Sequence, residues 1–181
     1  SRRQRQMCIR DSLDTARLRY GLSEHFKVAQ GNIHAYVFGE HGDTSFIPWT
    51  GAYISGLSTD EYYEEMKAHG KDVKPLDKEA MLEYVQKSGG KVIAKKGATF
   101  YAVSATVCQL VGLILAASDS LATVSSMLHG EYGIEDVCLS TLTLVGPNGT
   151  QGKVQMRMNK EEIALLKKSA DALKEVIAQI E

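Results

Sequence analysis

Apolar and polar positions alternate along the chain with two clear periods. From Leu13 to about Lys27, Leu18, Leu22 and Phe26 recur four apart, which predicts a helix. From Asn32 to Phe38 the period falls to two, with Ile33, Ala35 and Val37 on one face and His34, Tyr36 and Phe38 on the other, which predicts a strand. Gly39-Glu40-His41-Gly42-Asp43 ends that strand in a turn bracketed by glycines. Ser58 with Glu61 has capping-box spacing and opens a helix closed by Gly70. A helical pattern then runs from about Lys78 to Lys96. Gly89-Gly90 interrupts it and predicts a kink or a close approach. The uncharged stretch from Gly97 to Ser118 reads as a fully buried core helix, with a membrane span as the alternative.

Past Leu121 the pattern turns to strands. Val137 to Val145 is rich in β-branched and aliphatic residues, and Gly146-Pro147-Asn148-Gly149 makes a turn. Lys153 to Met158 alternates, with Val154, Met156 and Met158 on the apolar side, which predicts the returning arm of a hairpin. Asn159 and Glu162 cap a final helix whose Ile163, Leu166, Ala170, Leu173, Ile177 and Ile180 form one apolar stripe. The predicted fold class is α+β, long helices packed on antiparallel strands, without the βαβ alternation of a doubly wound sheet.

Composition narrows the field. The 181 residues are 44% hydrophobic and 24% charged, within the range of globular domains that bury one core. Cys8, Cys108 and Cys138 are odd in number and widely spaced, which suits a reducing, cytoplasmic setting better than a disulfide framework or a metal site. The 21 basic and 22 acidic residues leave a net charge of −1, unevenly spread. Residues 1–11 hold Arg2, Arg3, Arg5 and Arg10 against Asp11, while the remainder is mildly acidic, which argues against nucleic acid as a partner. That basic start has no apolar periodicity. It reads as a non-native or unstructured tail on a domain spanning 12–181, with an RNA-binding arm as the rival reading.

Two short segments concentrate chemistry. Asp14 and Arg17 stand three apart and share a helix face, the spacing of an ordinary surface ion pair. His41 lies between two glycines, where a turn histidine is commonly structural. Taken together they say more. The 27 positions between Asp14 and His41 match a helix, a turn and a returning strand, so the two can meet. An Asp on one imidazole nitrogen fixes the tautomer and favours the imidazolium, leaving the other nitrogen to exchange a proton with substrate. Arg17 beside them offers a planar fork to a carboxylate. Such equipment suits interconversion of 2-hydroxy and 2-oxo acids.

LDTARLRY at 13–20 and HAYVFGEHGDTSFIPW at 34–49 resemble the catalytic half of the lactate/malate dehydrogenase family, on its bacterial lactate-specific branch, over about residues 12–181. The resemblance implies that His41 is the proton donor and acceptor and Asp14 its orienting partner. It implies substrate binding by Asp14, Thr15, Ala16, Arg17 and Thr99, no metal, and NAD as the hydride carrier. The expected reaction is the interconversion of pyruvate and L-lactate that ends lactate fermentation, and the expected assembly is a homotetramer. Thr99 favours lactate over malate, although malate and larger 2-hydroxy acids stay open. Arg19 and His34 match an effector site for fructose 1,6-bisphosphate, and a non-catalytic sugar-phosphate-binding module is the rival built on that site. The sequence departs from the family ahead of Leu13, where Met7-Cys8-Ile9-Arg10-Asp11 replaces a Gly/Thr/Ser-rich segment. The family's dinucleotide-binding half and mobile substrate-selecting loop have no counterpart here. The expectation is a second half of a longer enzyme, inactive alone.

Overall fold

The computed structural model describes residues 10–116 and 118–179. Among the described residues five α-helices and two small antiparallel sheets make an α+β fold. Helix α1 (Arg10–Phe26) packs one face against the neighbouring helices and strands and leaves Ala16 and Tyr20 exposed on the other. Its predicted stripe, Leu18, Leu22 and Phe26, packs with Ile33, Val37, Ile54 and Val85 in a first core. The α1 helix begins at Arg10, so the last two residues of the predicted tail are helical, and residues 1–9 lie outside the described residues.

The predicted strand over 32–38 forms a ladder only at β1 (Ile33–His34), which pairs with β2 (Tyr53–Ile54), itself paired with β3 (Leu57–Ser58). Ile33, Ala35 and Val37 are buried as the alternation requires. Phe38 breaks the alternation and is fully buried in a second core, because Phe38 and Gly39 leave β1 to bridge Phe46 and Ser140. That crossing carries the His41 turn from the first sheet to the second.

Ser58 and Glu61 cap helix α2 (Thr59–Ala68) reciprocally. Helix α3 (Lys78–Lys96) is continuous through Gly89-Gly90, so the glycines produce no kink. A Cβ at Gly89 would make an ordinary contact with the Arg17 guanidinium at 3.6 Å and one at Gly90 would meet nothing, so close packing requires neither glycine. Helix α4 (Tyr101–Leu115) corrects the buried-helix expectation. Only Thr106 and Leu110 are buried, whereas Tyr101 and Leu115 are about 80% exposed. Among the described residues no helix is long and apolar enough to cross a membrane.

Strand β4 (Ser120–His129) pairs with β5 (Glu135–Gly146), which pairs with β6 (Gly149–Lys153). The hairpin arm therefore lies at 149–153 rather than 153–158. Gly146 pairs with Gly149 across a two-residue turn, so the ladder starts at once and is used up by Lys153. Beyond it only the Val154 N–H still reaches β5, at the Leu142 carbonyl. Met156 and Met158 pack on the second core, but Val154 is exposed. The alternation at 154–158 records an extended chain without a strand partner.

Helix α5 (Lys160–Ala178) opens with the predicted Asn159–Glu162 capping box. Its stripe buries Leu166 and Ala170 against Phe38, Leu139 and Leu142, with Leu173 at the margin. Ile177 is exposed, and Ile180 lies outside the described residues. Cys108 and Cys138 are free thiols, and Cys8 lies outside the described residues.

Candidate active site

The N-terminal turns of α1, the loop after Gly39, the middle of α3 and the start of α4 enclose a cleft of about 320 Å³. Its walls include Asp14 and Arg17, then His41, Asp43 and Ser45, then Gln86, Gly89 and Gly90, and finally Thr99. Four of the residues singled out in the sequence thus converge: Asp14, Arg17, His41 and Thr99.

Asp14 is the hub. One carboxylate oxygen lies 2.5 Å from His41 Nδ1, and the other accepts from Arg17 Nη1 at 2.8 Å. The Asp14 side chain is 9% exposed, Arg17 16% and His41 34%, so the anion is the most deeply set of the three. A carboxylate against Nδ1 makes that nitrogen the donor and directs the proton chemistry to Nε2. The same carboxylate holds Arg17 by one nitrogen of its fork, a detail the sequence spacing alone left as a surface pair.

The loop bearing His41 is fastened from both sides. From α3, Gln86 Nε2 donates to the Ser45 carbonyl at 3.1 Å and lies 3.2 Å from the Ser45 hydroxyl. From α5, the fully buried Ser169 Oγ accepts from the Glu40 N–H at 2.8 Å. Sequence reading missed both residues. Neither belongs to a motif, and only the fold brings positions 86 and 169 to the turn.

Thr15 and Ala16 do not line the cleft. The buried Thr15 hydroxyl accepts from the Val37 N–H at 3.0 Å and lies 2.9 Å from Thr123 Oγ1, tying α1 to β4 and the 33–37 segment. Ala16 is exposed on the far side of α1. Arg19 Nε donates to the Ala35 carbonyl at 3.2 Å, and its guanidinium lies 5.2 Å from the Tyr36 ring centre. His34 is exposed one residue away from that carbonyl. The structure therefore brings Arg19 to the His34 segment, apart from the cleft. Among the described residues no cluster of His, Cys, Asp and Glu has metal-binding geometry.

Residues 11–181 match the family model described as lactate/malate dehydrogenase, alpha/beta C-terminal domain. The chain belongs to the lactate/malate dehydrogenase family. It is 44% identical over 169 residues to an L-lactate dehydrogenase of Acetivibrio thermocellus, a match covering 93% of this chain and 52% of that protein. An L-lactate dehydrogenase 1 of Clostridium acetobutylicum is 42% identical, with 93% and 53% covered. Among solved structures, an L-lactate dehydrogenase of Clostridium thermocellum superposes with a TM-score of 0.81 at 33% identity, over 93% of this chain and 54% of the other. A minor L-lactate dehydrogenase of Enterococcus mundtii gives a TM-score of 0.88 at 28% identity, over 98% and 55%. The chain spans about half the length of the curated relatives it matches. As a member of this family it carries the predicted fold class and the predicted catalytic-half architecture.

Proposed function

We propose that the whole protein is an NAD-dependent L-lactate dehydrogenase and that this domain is its substrate-binding and proton-transferring half. The observation that supports this best is the single carboxylate of Asp14 joining His41 and Arg17 at the wall of one cleft with Thr99. In this reading the Arg17 fork receives the pyruvate carboxylate, and the cleft between Thr99 and His41 takes the carbonyl end. His41 Nε2 gives its proton to the carbonyl oxygen and takes it back from the L-lactate hydroxyl. Asp14 stabilises the imidazolium and holds the ring in one orientation.

The reaction also needs a hydride carrier, and these residues do not fit the phosphates of NAD. The sequence has no glycine-rich phosphate loop of either common spacing, and among the described residues the cleft offers one cation, Arg17, already shared with Asp14, against the two charges of a pyrophosphate. This chain accounts for the carboxylate and the proton.

Thr99, which lines the cleft, supports pyruvate over the dicarboxylate oxaloacetate because it is the residue type that the lactate-specific resemblance implies at this position. The whole protein, purified free of host enzyme, is expected to reduce pyruvate with NADH far faster than oxaloacetate. A preference for oxaloacetate would make it a malate enzyme, and failure on every 2-oxo acid would refute the dehydrogenase reading.

The same reading makes it a cytoplasmic, tetrameric enzyme of lactate fermentation, activated by fructose 1,6-bisphosphate at Arg19 and His34. Free Cys108 and Cys138 suit a reducing compartment, and the exposed apolar surface of α4 suits burial against other subunits. Arg19 beside the exposed His34 segment suits phosphate binding. Arg19→Ala is expected to weaken activation by the bisphosphate, read as the concentration giving half-maximal rate.

A further inference from the structure

We propose that Ser169, on the C-terminal helix and 128 positions from His41, is a positioning residue that sets the orientation of the His41 ring. The proposal rests on the reading of His41 as the proton-transferring residue.

The geometry closes a ring of hydrogen bonds around the base of the His41 turn. The Glu40 N–H donates to Ser169 Oγ at 2.8 Å, the Ser169 and Thr44 hydroxyls lie 2.9 Å apart, and Thr44 Oγ1 lies 2.8 Å from Glu40 Oε1. Proton counting fixes the direction. A carboxylate only accepts, so the single Thr44 proton goes to Glu40, and Ser169 must donate to Thr44 while it accepts from the Glu40 N–H. Each hydroxyl gives and takes once, and the Thr44 N–H adds a longer contact to the same carboxylate oxygen at 3.3 Å. Residues 40 and 44 are thereby held at a fixed separation, with His41 between them.

Two further observations show that the site is built for this contact. Ser169 is wholly inaccessible to solvent, so its hydroxyl cannot exchange these partners for water. Gly39 has φ of +99°, and a Cβ there would stand 2.9 Å from Ser169 Oγ. Only glycine lets α5 come this close to the turn. Leu166 and Ala170 of α5 pack beside Phe38 and Phe46 at the two ends of the loop, and Ser169 between them supplies the polar contact to its backbone.

The test is imidazole 15N–1H NMR on the 181-residue chain, recorded cold, with the amide spectrum reporting the fold. The expected wild-type signature is a downfield, slowly exchanging Nδ1 proton on His41, held by Asp14. Ser169→Ala and the near-isosteric Thr44→Val should each broaden or abolish it. The double variant should be no worse than either single one, because both break the same ring. The ring signals of His25, His34, His69 and His129 should stay in place. An unchanged His41 signal in a folded variant would overturn the proposal, as would additive losses in the double variant or displacement of all five histidines together. Should Ser169→Ala fail to fold, Thr44→Val decides the matter by the same criteria. In the whole enzyme Ser169→Ala should lower kcat by up to about a hundredfold, the scale of a small misplacement of a reacting group. KM for pyruvate should hold, since Arg17 is untouched, and a raised KM at constant kcat would refute positioning. A wild-type protein that reduces no pyruvate would refute the proposed reaction, while the NMR result would still decide whether Ser169 orients His41.

Discussion

Asp14 and His41 face each other across 2.5 Å although 27 positions separate them, and the second oxygen of the same carboxylate holds Arg17. In the proposed reaction this one side chain, set low in the cleft, organises both the substrate anion and the proton donor. Asp14→Asn would keep the shape and lose the charge. The amide can present either face to Nδ1, so the ring tautomer is no longer fixed and an imidazolium is no longer stabilised. In the whole protein we expect kcat for pyruvate reduction to fall by about 10²–10⁴, the usual contribution of general acid–base catalysis. A loss below threefold in steady-state assays would show that Asp14 does not support proton transfer.

Arg17→Lys keeps a positive charge but cannot hold Asp14 and a carboxylate at once in the planar geometry of a guanidinium. The expected result is a rise in KM for pyruvate of about tenfold or more, the equivalent of one charge-assisted hydrogen bond. Gly89→Leu should act in the same direction, because a Cβ there sits in ordinary contact with the guanidinium at 3.6 Å and the atoms beyond it would crowd it from α3. Steady-state kinetics on both variants, with circular dichroism to confirm folding, checks this.

Lys153 makes a stability test on the chain itself. Its ammonium lies among β4, β5 and β6, against the Ser126 and Thr143 hydroxyls. Burial brings its pKa down from 10.5 to about 8, with the charges of Glu131 and Cys138 opposing. Below about pH 8 the folded and unfolded chains both carry the proton and the full cost of burying the cation is present. Between about 8 and 10.5 the unfolded chain binds more protons, so this group's contribution to stability rises with pH. Partial solvent access limits the gain to about 1–2 kcal/mol. Burial pushes the half-buried Cys138 thiol and Tyr132 phenol up, and they work in the opposite sense over the same range. The difference between wild type and Lys153→Met cancels what Tyr132 contributes and leaves the lysine with its coupling to Cys138 and Glu131, which acts in the same direction. In urea unfolding, the wild type should gain on the variant as pH moves from 7 to 10. A constant difference would show that Lys153 titrates normally.

Helix α4 leaves Phe100, Tyr101, Val111 and Leu115 exposed around an uncharged helix. An apolar surface of that kind draws proteins together. The chain is expected to enhance the fluorescence of a hydrophobic dye and to scatter light as an associated species, and Tyr101→Glu with Leu115→Glu should reduce both. A monodisperse monomer that leaves the dye dark would contradict this.

Local sequence determined a good deal of the molecule. Both capping boxes, at Ser58–Glu61 and Asn159–Glu162, form as their spacing requires, because each satisfies backbone donors within one turn. The α3 boundaries and the turn at 146–149 follow from equally local chemistry. Asp14, Arg17, His41 and Thr99 stood out because their residue types and motif context carry chemistry of their own. The rest depended on partners far along the chain. Alternation at 154–158 could not reveal that β5 has already paired with 149–153. Nor could the uncharged sequence of α4 say whether anything in this chain covers it, since periodicity records which face is apolar and not what lies against it. Gln86 and Ser169 are ordinary polar residues on amphipathic helices, and only the packing of α3 and α5 on either side of Gly39–Ser45 makes them the braces of His41. A side chain's chemistry is intrinsic to its residue type, whereas its reach to a partner is set by the tertiary fold.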